Sequence, residues 1–241
     1  MKIRLLGKNL DDIRPLLREL GFEETDGECE LIITHGGDGA LLGAEREFPG
    51  VPKLPLRDAA TARPCPRHDA RTRLEIFLRE RPEPVKLPKL EGVFDGRAIY
   101  GINDVFLHRA LPTSALRYRV SIDGTPYGDE IVGDGVGLSS VHGSTAYYRS
   151  ITHSIFRVGV GLSFSNSTEE VDHMVLAPDS TVSIKVTRGP AILVADNTPR
   201  GIDVAEGGVV TMRQTGKYAY IYDLAGFMCP DCRALRHHRR K

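Results

Sequence analysis

A chain of 241 residues with 41% hydrophobic and 27% charged content has the length for one large or two small domains and an ordinary globular composition. Thirty-two lysines and arginines balance thirty-two aspartates and glutamates, so no net field draws the chain to nucleic acid or an anionic membrane. No apolar run approaches the ~20 residues of a membrane span. The first twelve residues, MKIRLLGKNLDD, lack the apolar core of a signal peptide, and the expected location is the cytoplasm.

The elements follow in chain order. KIRLL (2–6) reads as a short buried strand. Leu10, Ile13, Leu16, Leu17 and Leu20 then recur at helical spacing, with Asn9 as the starting cap, Pro15 as a bend or a limit on the first turns, and Gly21 as the stop. ELIIT (30–34) is continuously apolar, as expected of a strand covered on both faces. Gly36-Gly37-Asp38-Gly39 interrupts it, and ALLGAEREF (40–48) reads as a short helix. Strand, helix, strand, glycine turn and helix describe an α/β unit with a parallel, Rossmann-like sheet.

From Pro49 to Pro88 the pattern weakens under eight prolines. Only residues 69–81 look helical there, with Leu74, Phe77 and Leu78 on one face, so the stretch reads as a connector. Beyond residue 90 strands alternate with turn signals, Asp95-Gly96 and Asp123-Gly124 being hairpin turns. The expected organisation is an α/β domain (1–90), a β-rich domain (91–222) and a C-terminal segment (223–241) with a basic tail.

Four cysteines are too few for a secreted disulfide framework. Cys229 and Cys232 form Cys-Pro-Asp-Cys, with His237 and His238 shortly after. They read either as half of a zinc site, with Cys65 and His68 supplying the other two ligands, or as a reduced thiol pair on the basic tail. A lone CxxC favours the thiol pair.

The glycine turn carries the chemistry. Glycines bare backbone N–H groups and admit close approach, and a helix starting near Gly39 would turn its positive end toward them, a site for phosphate oxygens. Asp38 is out of place beside a phosphate unless it acts on a hydroxyl that attacks it, since an aspartate of ordinary pKa is ionised at neutral pH and accepts protons. The alternative is a helix N-cap by Asp38, worth ~1 kcal/mol.

Three segments in order resemble the NAD kinase family: GGDG after a buried strand (36–39), INDVFLHR (102–109), similar to the family's Asn-Glu/Asp motif, and GDGVGLSSVHGSTAYYRS (133–150), similar to its DG…GSTAY signature. The resemblance covers about residues 30–48 and 95–222. It implies phosphoryl transfer from ATP or polyphosphate, with Mg²⁺ or another divalent cation held by the donor phosphates, to the 2′-hydroxyl of the adenosine ribose of NAD, giving NADP. Asp38 would be the general base, and Gly36, Gly37 and Gly39 would shape the phosphate loop. Asn103 and Asp104 would bind the dinucleotide, chiefly its adenosine half, while Thr145, Ala146, Tyr147 and Ser150 would line its pocket. Asp134 would reach a dinucleotide bound mainly by a neighbouring subunit, which implies a homodimer or homotetramer. On their own residues, Asn103-Asp104 reads as a turn pair, Ser144 or Thr145 as a helix cap, and Asp134 as a hairpin turn.

The sequence also departs from the family. Ala40 replaces a usual Ser or Thr, and VPKLPLRDAATARPC replaces the family's Gly/Asn-rich loop. Ser140-Val141-His142 alters the signature, YYRSITHSIF lacks its Gly-Gly-Pro, and Asp196-Asn197-Thr198 stands for the late Asp-Gly-Gln. These changes leave room for a non-catalytic NAD(H)-binding homologue. A lipid or small-alcohol kinase of the wider GGDG group is disfavoured by the GSTAY segment.

Overall fold

The computed structural model describes residues 1–60 and 65–229. They divide into two compact units, residues 1–87 together with the chain from Ala219 onward, and residues 88–218.

The first unit begins with β1 (Lys2–Gly7), α1 (Leu10–Glu19), β2 (Glu23–Glu24), β3 (Leu31–Gly36), α2 (Asp38–Glu47), β4 (Lys53–Arg57) and α3 (Ala70–Glu80). Its strands lie in the order β2-β1-β3-β4, all parallel. The helical periodicity of the first segment is realised: Ile13 and Leu17 are buried with Ile3, Leu5, Leu31, Ile33, Leu54, Leu56, Leu74 and Phe77 in one core. Each such aliphatic side chain contributes ~1.5–3 kcal/mol by leaving water. Gly21, at φ 80, ends α1 with paired bonds, Gly21 N–H to the Arg18 carbonyl (3.1 Å) and Phe22 N–H to that of Leu17 (2.9 Å), a Schellman stop.

Two expectations need correction. Asn9 does not cap α1: it sits at φ 49 with no cap bond, and its amide donates instead to Asp58 Oδ2 at 2.9 Å. The helix continues through Pro15. The proline-rich connector contains a strand, β4, whose Leu54 and Leu56 are buried on the core side of Pro55. Burial on both sheet faces outweighed the low strand propensity of proline. The helix expected at 69–81 forms as α3, capped by Asp69, whose Oδ2 accepts from Thr72 N–H at 2.8 Å.

The second unit is a two-sheet β structure. Its elements are β5 (Val85–Phe94), β6 (Arg97–Gly101), β7 (Asp104–Arg109), β8 (Leu116–Ile122), β9 (Thr125–Gly133), β10 (Gly135–Ser139), α4 (Tyr147–Thr152), β11 (Val160–Ser165), β12 (Met174–Leu176), β13 (Thr181–Arg188), β14 (Ala191–Ala195), β15 (Ile202–Val204) and β16 (Val209–Ile221). Asp95-Gly96 and Asp123-Gly124 turn their hairpins with φ positive at both residues, the primed geometry that fits strand twist. One sheet is ordered β12-β11-β10-β7-β14-β15, and β16-β13-β8-β9 runs in the other. Val105, Leu107, Val136, Leu138, Leu162 and Leu193 of the first meet Leu116, Tyr118, Val120, Val182 and Ile184 of the second in the core. The last residues of β16 belong to the first unit, where Ile221 pairs with Lys53, and α5 (Leu224–Phe227) follows.

Candidate functional site

In the first unit the chemistry gathers where β3 ends. All six residues of β3 are buried, so the chain can reach solvent only by turning at its tip. Gly36 makes that turn at φ 153, which disfavours any residue with a Cβ. Gly37 precedes α2, and Asp38 is the first helical residue. The N-cap role for Asp38 is therefore not observed. Its carboxylate, with 45% of the side chain exposed, lies in the first turn of a ten-residue helix, where the dipole favours negative charge.

Arg57 stands beside it for a reason of register. β3 and β4 run parallel with Gly36 opposite Arg57, so the end of β4 arrives level with the glycine turn. One Arg57 nitrogen lies 3.2 Å from Asp38 Oδ1, and Nε donates to the Phe227 carbonyl at 3.1 Å. The guanidinium also stacks on the Phe227 ring, 3.8 Å from its centroid. Sequence reading gave Arg57 no role, because nothing in VPKLPLRD marks a strand that ends opposite the glycines.

The second unit brings two of the three motif segments together. β7, β10 and β11 are neighbouring antiparallel strands, with Asp104 opposite Ser139 and Gly137 opposite both Phe106 and Ser163. Since side chains alternate across a sheet, Val105, Leu107, Val136, Leu138 and Leu162 face the core. The other face carries Asp104, Phe106, His108, Ser139, Ser163, Ser165 and several glycines. The alternation is visible in GVGLSS and VGLSFS.

The GSTAY segment covers this polar face. A 3-10 turn (Gly143–Thr145) leads through Ala146 into α4. Tyr147 packs edge-on against Phe106 at 4.8 Å between centroids and near His108 at 5.6 Å, with its hydroxyl 3.5 Å from Ser165 Oγ. The entry to the turn is pinned to the Asn103 segment by three bonds: Ser140 N–H to the Asn103 carbonyl (2.8 Å), Ser140 Oγ to the Ile102 carbonyl (2.6 Å), and Gly143 N–H to Ser140 Oγ (3.0 Å). A Cβ on Gly143 would lie 2.0 Å from the Asn103 carbonyl oxygen, so contact this close requires glycine. Neither Ser144 nor Thr145 caps α4. Ser144 Oγ bonds the carbonyls of Val141 (2.8 Å) and Phe156 (3.1 Å), and Thr145 Oγ1 that of His142 (3.5 Å). Ser150 is exposed, its hydroxyl donating to the Tyr147 carbonyl at 2.7 Å.

Asp196 organises the Asn103 turn. Its carboxylate accepts from the N–H groups of Ile102 (2.7 Å), Asn103 (2.8 Å) and Asp104 (3.2 Å), and these bonds favour its charged form against a burial that pushes its pKa up. Burial, reinforced by that neighbouring charge, pushes Asp104 up to about 8, so at neutral pH Asp104 is mainly protonated and can donate a hydrogen bond. Asn103 Oδ1 is buried without a hydrogen-bond partner, an acceptor in want of a donor. The sequence signal for Asp196 was its match to a late family motif, from which its side-chain role could not be read.

Asp134 is not in a hairpin. It joins β9 to β10 where the chain leaves one sheet for the other, and its carboxylate takes Arg109 Nε at 2.9 Å and Asn166 Nδ2 at 2.8 Å. Cys229 is buried beyond α5, while Cys232, His237 and His238 lie outside the described residues. Among the described residues no helix is long and apolar enough to cross a membrane.

No protein-family model matches the chain. An NAD kinase of Saccharolobus islandicus is 26% identical over 150 residues, 62% of this chain and 59% of that protein, so the match spans less than two thirds of that relative's length. An NAD kinase of Chloroflexus aggregans is 25% identical over 218 residues, 78% of this chain and 72% of its own. Among solved structures, the crystal structure of an NAD kinase from Archaeoglobus fulgidus in complex with ATP matches with a TM-score of 0.77 at 17% identity, covering 95% of this chain and 96% of that one. At that identity the structural likeness is one of fold.

Proposed function

Because the chain belongs to the NAD kinase family, we propose that it transfers a phosphoryl group from ATP or polyphosphate to the 2′-hydroxyl of the adenosine ribose of NAD, giving NADP. The observation that carries this reading is the glycine turn, where Asp38 heads α2 with Arg57 3.2 Å away. The guanidinium supplies the positive charge that a carboxylate next to phosphates needs. In a loose transition state, catalysis is mostly positioning and charge neutralisation, and these two side chains divide that work. Asp38 takes the proton of the 2′-hydroxyl as the oxygen bonds to phosphorus, while Arg57 draws the phosphoryl oxygens toward the turn shaped by Gly36, Gly37 and Gly39. Among the described residues no cluster of three carboxylates offers a magnesium site. A divalent ion accompanying the donor would be held by its phosphates and would supply further charge neutralisation.

In the second unit the polar sheet face is the proposed dinucleotide platform. Asn103 Oδ1 and protonated Asp104 offer an acceptor and a donor for the adenosine half. Thr145, Ala146 and the half-exposed Tyr147 ring form a wall, with Ser150 at its edge. In a homodimer or homotetramer Asp134, already oriented by Arg109 and Asn166, reaches toward a dinucleotide held by the neighbouring subunit.

The test is NADP formation with ATP and with polyphosphate, measured beside NAD binding by calorimetry. Asp38→Asn is expected to lower kcat by about a hundredfold or more with NAD affinity largely kept. Near-wild-type turnover would remove Asp38 as the base. One observation favours a second reading, a non-catalytic NAD(H)-binding protein: Ala40 brings no hydroxyl to the first turn of α2. NAD binding by the wild type without turnover on either donor selects that reading.

A further inference from the structure

We propose that Cys65, His68 and Cys229 form a zinc site. Cys65-Pro66-Arg67-His68 folds as a 3-10 turn, closed by His68 N–H to the Cys65 carbonyl at 2.9 Å. This turn brings the thiol and the imidazole of a Cys-x-x-His pair to one side. Cys229 arrives from the other end of the first unit, just past α5, and is buried. The two sulfurs and a ring nitrogen of His68 all lie within 4.8 Å of one another.

The sulfur separation discriminates between chemistries. Cys65 Sγ and Cys229 Sγ are 4.0 Å apart. That is about twice a disulfide bond of ~2.0 Å. Two thiolates on a tetrahedral zinc, each at ~2.3 Å, stand ~3.8 Å apart. The observed spacing is thus that of the edge of a coordination tetrahedron. Three soft or borderline ligands select zinc over the hard cations that prefer oxygen. Binding converts the two thiols to thiolates and releases their protons to solvent, so affinity rises with pH.

The ion would have a mechanical consequence independent of the kinase reading. It would tie the turn after β4 to the segment after α5, a closure of 164 residues along the chain. Structural zinc stabilises a fold by holding such distant segments together. Phe227, the last residue of α5 and two before Cys229, holds Arg57 with its carbonyl and ring.

The full-length protein, purified without chelator, is expected to contain one zinc per chain by mass spectrometry. Cobalt added to the metal-free protein should give the visible bands and thiolate charge-transfer absorption of a tetrahedral sulfur site. Zinc should slow the reaction of the thiols with a disulfide reagent, and a chelator should restore it and lower Tm. Cys65→Ser and Cys229→Ser should each weaken zinc binding by about 100-fold or more, beyond the loss typical of outer-shell changes, whereas Cys29→Ser should leave it unchanged. Wild-type protein that takes up no zinc, gives no cobalt–thiolate spectrum and shows no thiol protection overturns the site, whatever the variants do. None of these readouts depends on NADP formation.

Discussion

Gly143→Ala tests how the GSTAY segment is held to the Asn103 turn. The added Cβ would lie 2.0 Å from the Asn103 carbonyl oxygen, 2.5 Å from its carbon and 2.6 Å from Cα, all backbone atoms that no rotamer change can move aside. Reaching ordinary contact requires one segment to shift by well over 1 Å. Such a shift breaks the bonds from Ser140 N–H to the Asn103 carbonyl and from Gly143 N–H to Ser140 Oγ. Two buried neutral bonds are worth ~1 kcal/mol each, and overpacking adds ~1–3 kcal/mol, giving an expected loss of about 3–5 kcal/mol. Equilibrium urea unfolding measures the loss, and NAD titration should show weaker binding as Asn103 is displaced. Gly216→Ala is the control, because its Cβ would meet nothing within 4 Å; it should be neutral or slightly stabilising. If Gly143→Ala unfolds within 0.5 kcal/mol of wild type, the close contact is not a constraint and the reasoning fails.

Two further perturbations probe buried charge. Asp104 is raised from 3.8 to about 8 by burial and by Asp196, so between those values the folded state holds more protons than the unfolded state and stability falls as pH rises. Asp104→Asn removes this slope, and its stability relative to wild type should improve from pH 5 to pH 8 by up to ~1.4 kcal/mol per pH unit. A difference in unfolding free energy that stays flat across that range would refute the assignment. Lys53 is fully buried and pairs with Glu45, while also donating to the Phe48 carbonyl at 2.6 Å. Lys53→Met removes the buried cation beside the Glu45 carboxylate and should cost ~3–5 kcal/mol, whereas Lys53→Met with Glu45→Leu should recover much of that. Thermal or urea unfolding of the three proteins decides it, and equal stability of the single variant and wild type would mean that the pair carries no such penalty.

Local physics made much of this protein legible from its residues. The apolar run of β3, the helical spacing of α1 and α3, and the Asp-Gly hairpins each follow from periodicity or from a turn residue's φ, which the chain carries within a few positions. The alternation of glycine and serine with valine and leucine in β10 and β11 likewise encodes a sheet with one core face and one polar face. Tertiary structure decided what depended on partners distant in sequence. β4 forms despite Pro55 because the parallel neighbour β3 and a shared core stabilise it. Arg57 meets Asp38 only because strand register sets the end of β4 level with the glycine turn. Asp196 becomes the anchor of the Asn103 turn, and raises the proton affinity of Asp104, through a pairing some 90 residues long. Cys65, His68 and Cys229 converge because α5 returns to the first unit after the whole β structure has been built. Such pairings depend on where strands register and elements pack, and no window of sequence contains both members.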